Sequence, residues 1–175
     1  MGTFFEKWFL LSDTAVKFFG NVSFMASGKP VNRSVVVASE PSAIVGVCRK
    51  ILSKLKANRF SQEDIFAVHL ALEEAFINSV KHGNKMDPTK DVKIDYLVSL
   101  DKVEISMTDQ GNGFQPDNVP DPRYGENLYK TGGRGLFLIR SYMNEVEFNK
   151  NGNSLRMVKY KGKSSPAEFQ PPTQS

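Results

Sequence analysis

Between Ile65 and Val80 the only polar side chains are His69, Glu73, Glu74, Asn78 and Ser79. A helix that is apolar around most of its circumference is largely buried, so this stretch predicts a central helix that the rest of the chain must cover. Ser61 followed by Asp64 resembles a capping box with Asp in place of Glu, and His82-Gly83 is a stop signal, which bounds the helix at both ends. Glu74 and Asn78 are four residues apart and project from one face of it, with His82 one turn further on. A carboxylate and an amide on such a helix each need a partner, because an unsatisfied buried polar group costs ~1–3 kcal/mol and a charge more.

Around that helix the pattern is α+β. Arg33 to Ala38, with Val35, Val36 and Val37, reads as a strand. Ser39, Glu40 and Pro41 read as a helix start, Ser39 supplying the cap, and Ile44, Val47, Cys48, Ile51, Leu52 and Leu55 repeat at helical spacing to about Ala57. Val92 to Leu100 and Val103 to Thr108 alternate as a hairpin turning at Asp101 and Lys102. Helix resumes over about Arg134 to Met143. A second hairpin then joins Glu145–Asn149 to Leu155–Tyr160 through Asn151, Gly152 and Asn153. Segregated helices and strands predict a two-layer sandwich, a mostly antiparallel mixed sheet with helices on one face. Residues 29–162 are expected to form one domain, residues 1–28 an N-terminal extension and residues 163–175 a disordered tail.

Composition narrows the classes. Hydrophobic residues at 40% and charged residues at 24% belong to a globular chain rather than a disordered or fibrous one. The net charge of +4 is scattered, with Lys159, Lys161 and Lys163 supplying much of the excess, so direct nucleic-acid binding is not expected. Glu6, Lys7, Asp13 and Lys17 interrupt the aromatic segment Phe4–Met25, which therefore falls short of the ~20 apolar residues of a membrane span. It also lacks the form of a signal peptide. It suits an amphipathic docking segment, a loosely attached extension or core packing. Cys48 is the only cysteine and reads as a buried core thiol. The expected location is the cytoplasm.

Three short motifs carry the candidate chemistry. The amide oxygen of Asn78 is a hard ligand suited to Mg2+, and Glu74 can take a proton from a hydroxyl attacking beside the metal; taken alone, the pair is more simply explained by structural hydrogen bonds or capping of neighbouring backbone. Asp109 stands at a strand end before Gly111 and Gly113. There it can accept from an exocyclic amine while the glycines admit a ring, or simply form an Asx turn. Gly132, Gly133, Arg134 and Gly135 close a long Pro/Gly-rich loop and open a helix, an arrangement that binds anions through free backbone N–H groups and an arginine. Two other phosphate motifs are excluded. Gly162-Lys163-Ser164 has Met157 where a P-loop needs glycine, and prolines follow Gly111–Pro116 where a dinucleotide fingerprint needs a helix.

In this order, Glu74-Ala-Phe-Ile-Asn78 with Lys81-His82-Gly83, Asp109-Gln-Gly-Asn-Gly113 and Gly132-Gly-Arg-Gly135 resemble the three nucleotide boxes of the Bergerat-fold (GHKL) ATPases, the superfamily of DNA gyrase and sensor histidine kinases. The run Ala71 to Gly83 and the later Met143-Asn-Glu-Val146 look most like the anti-sigma-factor serine kinases. The resemblance covers roughly residues 31 to 160. It implies an ATP cofactor with Mg2+, Glu74 as catalytic base, Asn78 as magnesium ligand and Asp109 as adenine acceptor. It also implies His82, Gly111, Gly113, Lys130, Gly133, Arg134, Gly135 and Leu136 around the nucleotide, with residues 114–133 as a lid. Ser154 either holds a water near adenine, as a hydroxyl does in relatives, or is an ordinary hairpin residue. The implied partners are a sigma factor and an anti-anti-sigma (STAS-type) protein phosphorylated on serine, with homodimer formation an option. The chain departs from the family in having Thr131 where an arginine is usual, flanked by Lys130 and Arg134, and in its N-terminal extension.

Overall fold

A computed structural model of the chain describes residues 30–113 and 134–164. The extension 1–28, the lid with Lys130, Thr131, Gly132 and Gly133, and the tail from 165 lie outside the described residues. The strands are β1 (Val31–Ala38), β2 (Asp91–Val98), β3 (Lys102–Asp109), β4 (Glu145–Phe148) and β5 (Ser154–Tyr160), and the helices are α1 (Ile44–Ala57), α2 (Gln62–Asn78) and α3 (Arg134–Tyr142). The sheet has the order β1-β2-β3-β5-β4. Every pairing among the described residues is antiparallel, so the expected mixed sheet is in fact antiparallel throughout.

Register sorts the side chains by face, because residues opposite one another in an antiparallel ladder share a face. Val35, Ile94, Met107, Leu155 and Phe148 form one row across all five strands. With Ile105 and Met157 in the neighbouring row, they meet the helices in a single core that includes Ile51, Leu55, Leu72, Phe76 and Val80. The other face is polar. There Arg156 bridges Glu104, Glu145 and Glu147 at 2.9, 3.1 and 3.2 Å, and Lys102 joins Glu104 at 2.9 Å.

α1 buries Ile44, Val47, Cys48, Ile51 and Leu55, the predicted stripe. Ser39 does not cap it. A 3-10 turn at Pro41–Ala43 precedes the helix, with Glu40 at its start and no side-chain cap. Ser39 instead extends the sheet edge, donating its N–H to the Lys90 carbonyl at 3.0 Å. Its hydroxyl accepts from Asn84 at 3.2 Å.

α2 is the buried helix its composition demands. Ser61 caps it, accepting from the Asp64 N–H at 3.0 Å. The reciprocal half of the capping box is absent, because the Asp64 carboxylate turns to the end of β5. It accepts from the Gly162 N–H at 2.9 Å and stands 3.7 Å from the Lys159 ammonium. One lysine of the basic C-terminal excess is thus buried and paired. At its other end α2 continues into a π turn, Ser79–Gly83. α3 lies antiparallel beside α2: its start meets Glu74 and Asn78, while Tyr142 at its end packs edge-on against Phe66, centroids 5.8 Å apart.

Candidate functional site

The first two sequence motifs and Gly135 of the third come together along the second half of α2 and the turn after it. Glu74 and Asn78 are half-buried on one face of α2. α3 reaches them through Gly135, where a β-carbon would stand 2.5 Å from Glu74 Oε2 and 3.3 Å from Asn78 Nδ2. A larger residue here would have to push the Glu74 carboxylate aside. On the other side, Gly83 of the π turn packs against the Asp109 carboxylate, and Gly111 packs against the Gly83 carbonyl, in both cases too tightly for any side chain. Asp109 Oδ1 accepts the Gly111 N–H at 2.8 Å, the Asx contact expected of a strand-end aspartate. Gly113, at φ +76°, lies against the backbone of Asn151 in the β4–β5 turn. Glycines thus stand directly against both Glu74 and Asp109.

Electrostatics distinguish those two carboxylates from surface ones. Burial raises the Glu74 carboxyl above its ordinary value, the negative charge of Glu73 raises it further, and Lys81 pulls the other way. Burial also raises Asp109, against the Gly111 N–H and the positive charge of Lys90. Such shifts are common where a carboxylate handles protons or ligands.

The remaining expected residues fall in different places. His82 is exposed on the π turn, Arg134 is exposed at the first position of α3, and the Leu136 side chain is buried, so Leu136 can offer a ligand only its backbone. Ser154 does not join the group. Its hydroxyl is 2.8 Å from Thr108 Oγ1, on the polar face, because Ser154 pairs with Thr108 whereas Asp109 pairs with the core residue Val92. Asn153 lies across from Asp109 instead, its carbonyl accepting the Asp109 N–H at 3.0 Å. Cys48 is buried and its thiol is pushed up to about 12, chiefly by burial, in keeping with a core residue. No group of three or more His, Cys, Asp or Glu residues suited to a metal occurs among the described residues, and no described helix is long and apolar enough to cross a membrane.

Residues 37–159 match the model of the histidine kinase-like ATPase domain. The match spans the helix face, the strand end and the glycine-opened helix just described. The chain belongs to the histidine kinase-like ATPase domain family. Among members of this ATPase family, the chain is 34% identical over 108 residues to the serine-protein kinase RsbW of Listeria monocytogenes serotype 4a (strain HCC23), covering 58% of this chain and 69% of that protein. It is 30% identical over 124 residues to RsbW of Bacillus subtilis (strain 168), covering 66% and 78%. A crystal structure of the RsbU and RsbW domains of Rv1364c from Mycobacterium tuberculosis superposes with a TM-score of 0.47 at 13% identity, covering 77% of this chain and 34% of that one.

Gly83 reads in the sequence as a helix stop and, by the resemblance, as the end of the first nucleotide box; the structure adds that it packs against the Asp109 carboxylate. Asn84 carried no signal at all, although an Asn directly after a helix-ending glycine is the kind of residue that ties loops together.

Proposed function

We propose that this chain is a cytoplasmic protein serine kinase that uses Mg-ATP and acts as an anti-sigma regulator, binding a sigma factor and phosphorylating an anti-anti-sigma protein. The observation that carries the reading is the contact of Gly135 with both Glu74 and Asn78. It brings the N-terminus of α3, the natural seat for phosphate, against a base and an amide ligand at once.

The residues fit the nucleotide. Asp109 can accept the exocyclic amine of adenine, and the tight Gly83–Gly111 packing leaves backbone rather than side chains beside it. The N–H groups opening α3, Arg134 and Lys130 are the proposed phosphate donors. Asn78 would hold magnesium through its amide oxygen, a hard ligand of the kind the metal takes in small number from a protein. Bound Mg-ATP supplies a polarised terminal phosphoryl group. Glu74, its proton affinity raised by burial, takes the proton from the attacking serine hydroxyl. Gly135 keeps α3 close enough for its N–H groups to stabilise charge beside that carboxylate.

The first test is calorimetric titration of ATP with and without magnesium into the wild type, Asn78→Ala and Asp109→Asn. Magnesium-dependent binding weakened in both variants is the expected outcome, and undiminished binding in both refutes the site. Glu74→Ala then separates catalysis from binding. Lost phosphorylation of the anti-anti-sigma serine with ATP binding retained supports the kinase. Unchanged phosphorylation removes Glu74 from the mechanism, and a wild type that binds ATP but transfers nothing is a nucleotide-gated binding module.

A further inference from the structure

Asn84, the first residue after the π turn, is fully buried and commits its whole amide to three separate segments. Its Oδ1 accepts the Gln110 N–H at 2.8 Å, and its Nδ2 donates to the Asp91 carbonyl at 3.0 Å and to the Ser39 hydroxyl at 3.2 Å. Its own N–H donates to the Ser79 carbonyl at 2.7 Å. Gln110 reinforces the junction, its Oε1 accepting the Asp91 N–H at 2.9 Å. These contacts join the end of β1, the end of α2, the start of β2 and the backbone between Asp109 and Gly111.

We propose that Asn84 is the positioning residue for base recognition, acting through Asp109; this rests on reading Asp109 as the adenine acceptor. The carboxylate of Asp109 is located by its neighbours, Gly83 on one side and the Gly111 N–H on the other. Gln110 lies between Asp109 and Gly111 in the chain, so the bond from Asn84 to the Gln110 N–H fixes the backbone on which that arrangement depends. Asn84 follows Gly83 directly, so the same residue sets both walls against which Asp109 is held. The side-chain chemistry is specific. Asp at this position keeps the acceptor but loses the donor, and Ala leaves the Gln110 N–H and the Asp91 carbonyl, both in part-buried bonds, without this partner. A carboxylate accepts the amine of adenine and repels the carbonyl that guanine presents at the same ring position. The orientation of Asp109, and hence Asn84, sets the preference of the site between the two bases.

The test is the ratio of ATP to GTP affinity by calorimetry, with thermal unfolding measured in parallel. Asn84→Ala is expected to cut the wild-type preference for ATP about tenfold, the scale of one misplaced hydrogen bond. Ser39→Ala removes one Nδ2 partner but leaves the Gln110 bond, and is expected to lower the unfolding temperature while keeping the preference. If Asn84→Ala keeps the preference within about twofold, or Ser39→Ala loses as much of it, Asn84 is merely structural and the proposal is overturned. Should Asn84→Ala fail to fold, Gln110→Pro, which deletes the donated hydrogen, is compared with Gln110→Ala, which deletes only the side chain. Loss of preference in the first alone supports the proposal, and equal ratios overturn it. A wild type that binds neither nucleotide refutes the adenine reading and this inference together, whereas an unperturbed Asn84→Ala refutes only the inference.

Discussion

Substituting Gly135→Ala should separate stability from activity, leaving the first nearly unchanged while lowering the second. The added methyl would lie 2.5 Å from Glu74 Oε2, and atoms in ordinary contact rest about 3.5 Å apart, so the carboxylate must retreat by about 1 Å. It can do so, being the end of a flexible side chain, at a cost of about 0.5–1.5 kcal/mol in rotamer strain. Replacing a helical glycine by alanine returns up to about 1 kcal/mol. The two nearly cancel, so the unfolding temperature should stay within about 5 °C of wild type. Catalysis has no such compensation. Displacing a general base by about 1 Å can cost on the order of a hundredfold in rate, and the 3.3 Å approach to Asn78 should weaken magnesium-dependent ATP binding as well. Scanning calorimetry together with labelled phosphoryl transfer to the partner serine measures both. Transfer within about threefold of wild type, about a quarter of the logarithmic loss expected of a displaced base, would refute the placement of Gly135 against Glu74. So would a fall in unfolding temperature beyond about 10 °C, which means backbone rather than carboxylate has to move.

Asp64→Asn leaves the Lys159 ammonium buried without its carboxylate and should cost ~3–5 kcal/mol in urea denaturation, while adding Lys159→Met should recover much of it; a double variant as unstable as the single one contradicts a true pair. Glu104 is held down to about 2 from its ordinary 4.5, chiefly by Arg156 and then Lys102. A depressed carboxylate stabilises fully above its unfolded value and loses that contribution as pH falls from about 4.5 towards 2, so Glu104→Gln should lower stability at neutral pH by about 1 kcal/mol and flatten the acid slope. An unchanged slope would assign the acid sensitivity elsewhere. In pH–rate profiles, Lys81→Ala removes the charge that lowers the Glu74 carboxyl and should move the acid limb to higher pH, whereas Glu73→Gln should move it lower. Shifts in the same direction in both would exclude Glu74 as the titrating base.

The fold was legible wherever hydrophobic periodicity determined it. The α1 stripe, the apolar α2 and the alternation on β2 and β3 follow from burial on one face of a sheet. What the sequence concealed was where polar groups find their partners. Ser39 before a proline has the form of a cap, but its hydroxyl answers Asn84, forty-five positions along the chain. Asp64 has half the form of a capping box, but its carboxylate serves β5. The site was legible as three motifs whose glycines, taken singly, suit ordinary turns. Their meaning comes from close approach across the fold: Gly135 to Glu74, Gly83 to Asp109, and Gly111 to Gly83. Ser154 shows the converse, since strand parity puts its hydroxyl on the face opposite Asp109, and parity depends on a register that sequence alone leaves open.

α2 is anchored at both ends, by Asp64 to the end of β5 and by Asn84 to the loop after β3. Its length is therefore a fixed dimension of the molecule. Adding or deleting one residue between Asp64 and Glu74 would swing the carboxylate about 100° around the helix axis, with no loose end to absorb the change. The π turn at Ser79–Gly83 is the one part of this span where an extra residue is already accommodated, as in the single-turn bulges found within other helices. Length variation should be tolerated there before anywhere else along the helix, and each such change would re-aim Gly83 at Asp109 while leaving Glu74 and Asn78 where they are.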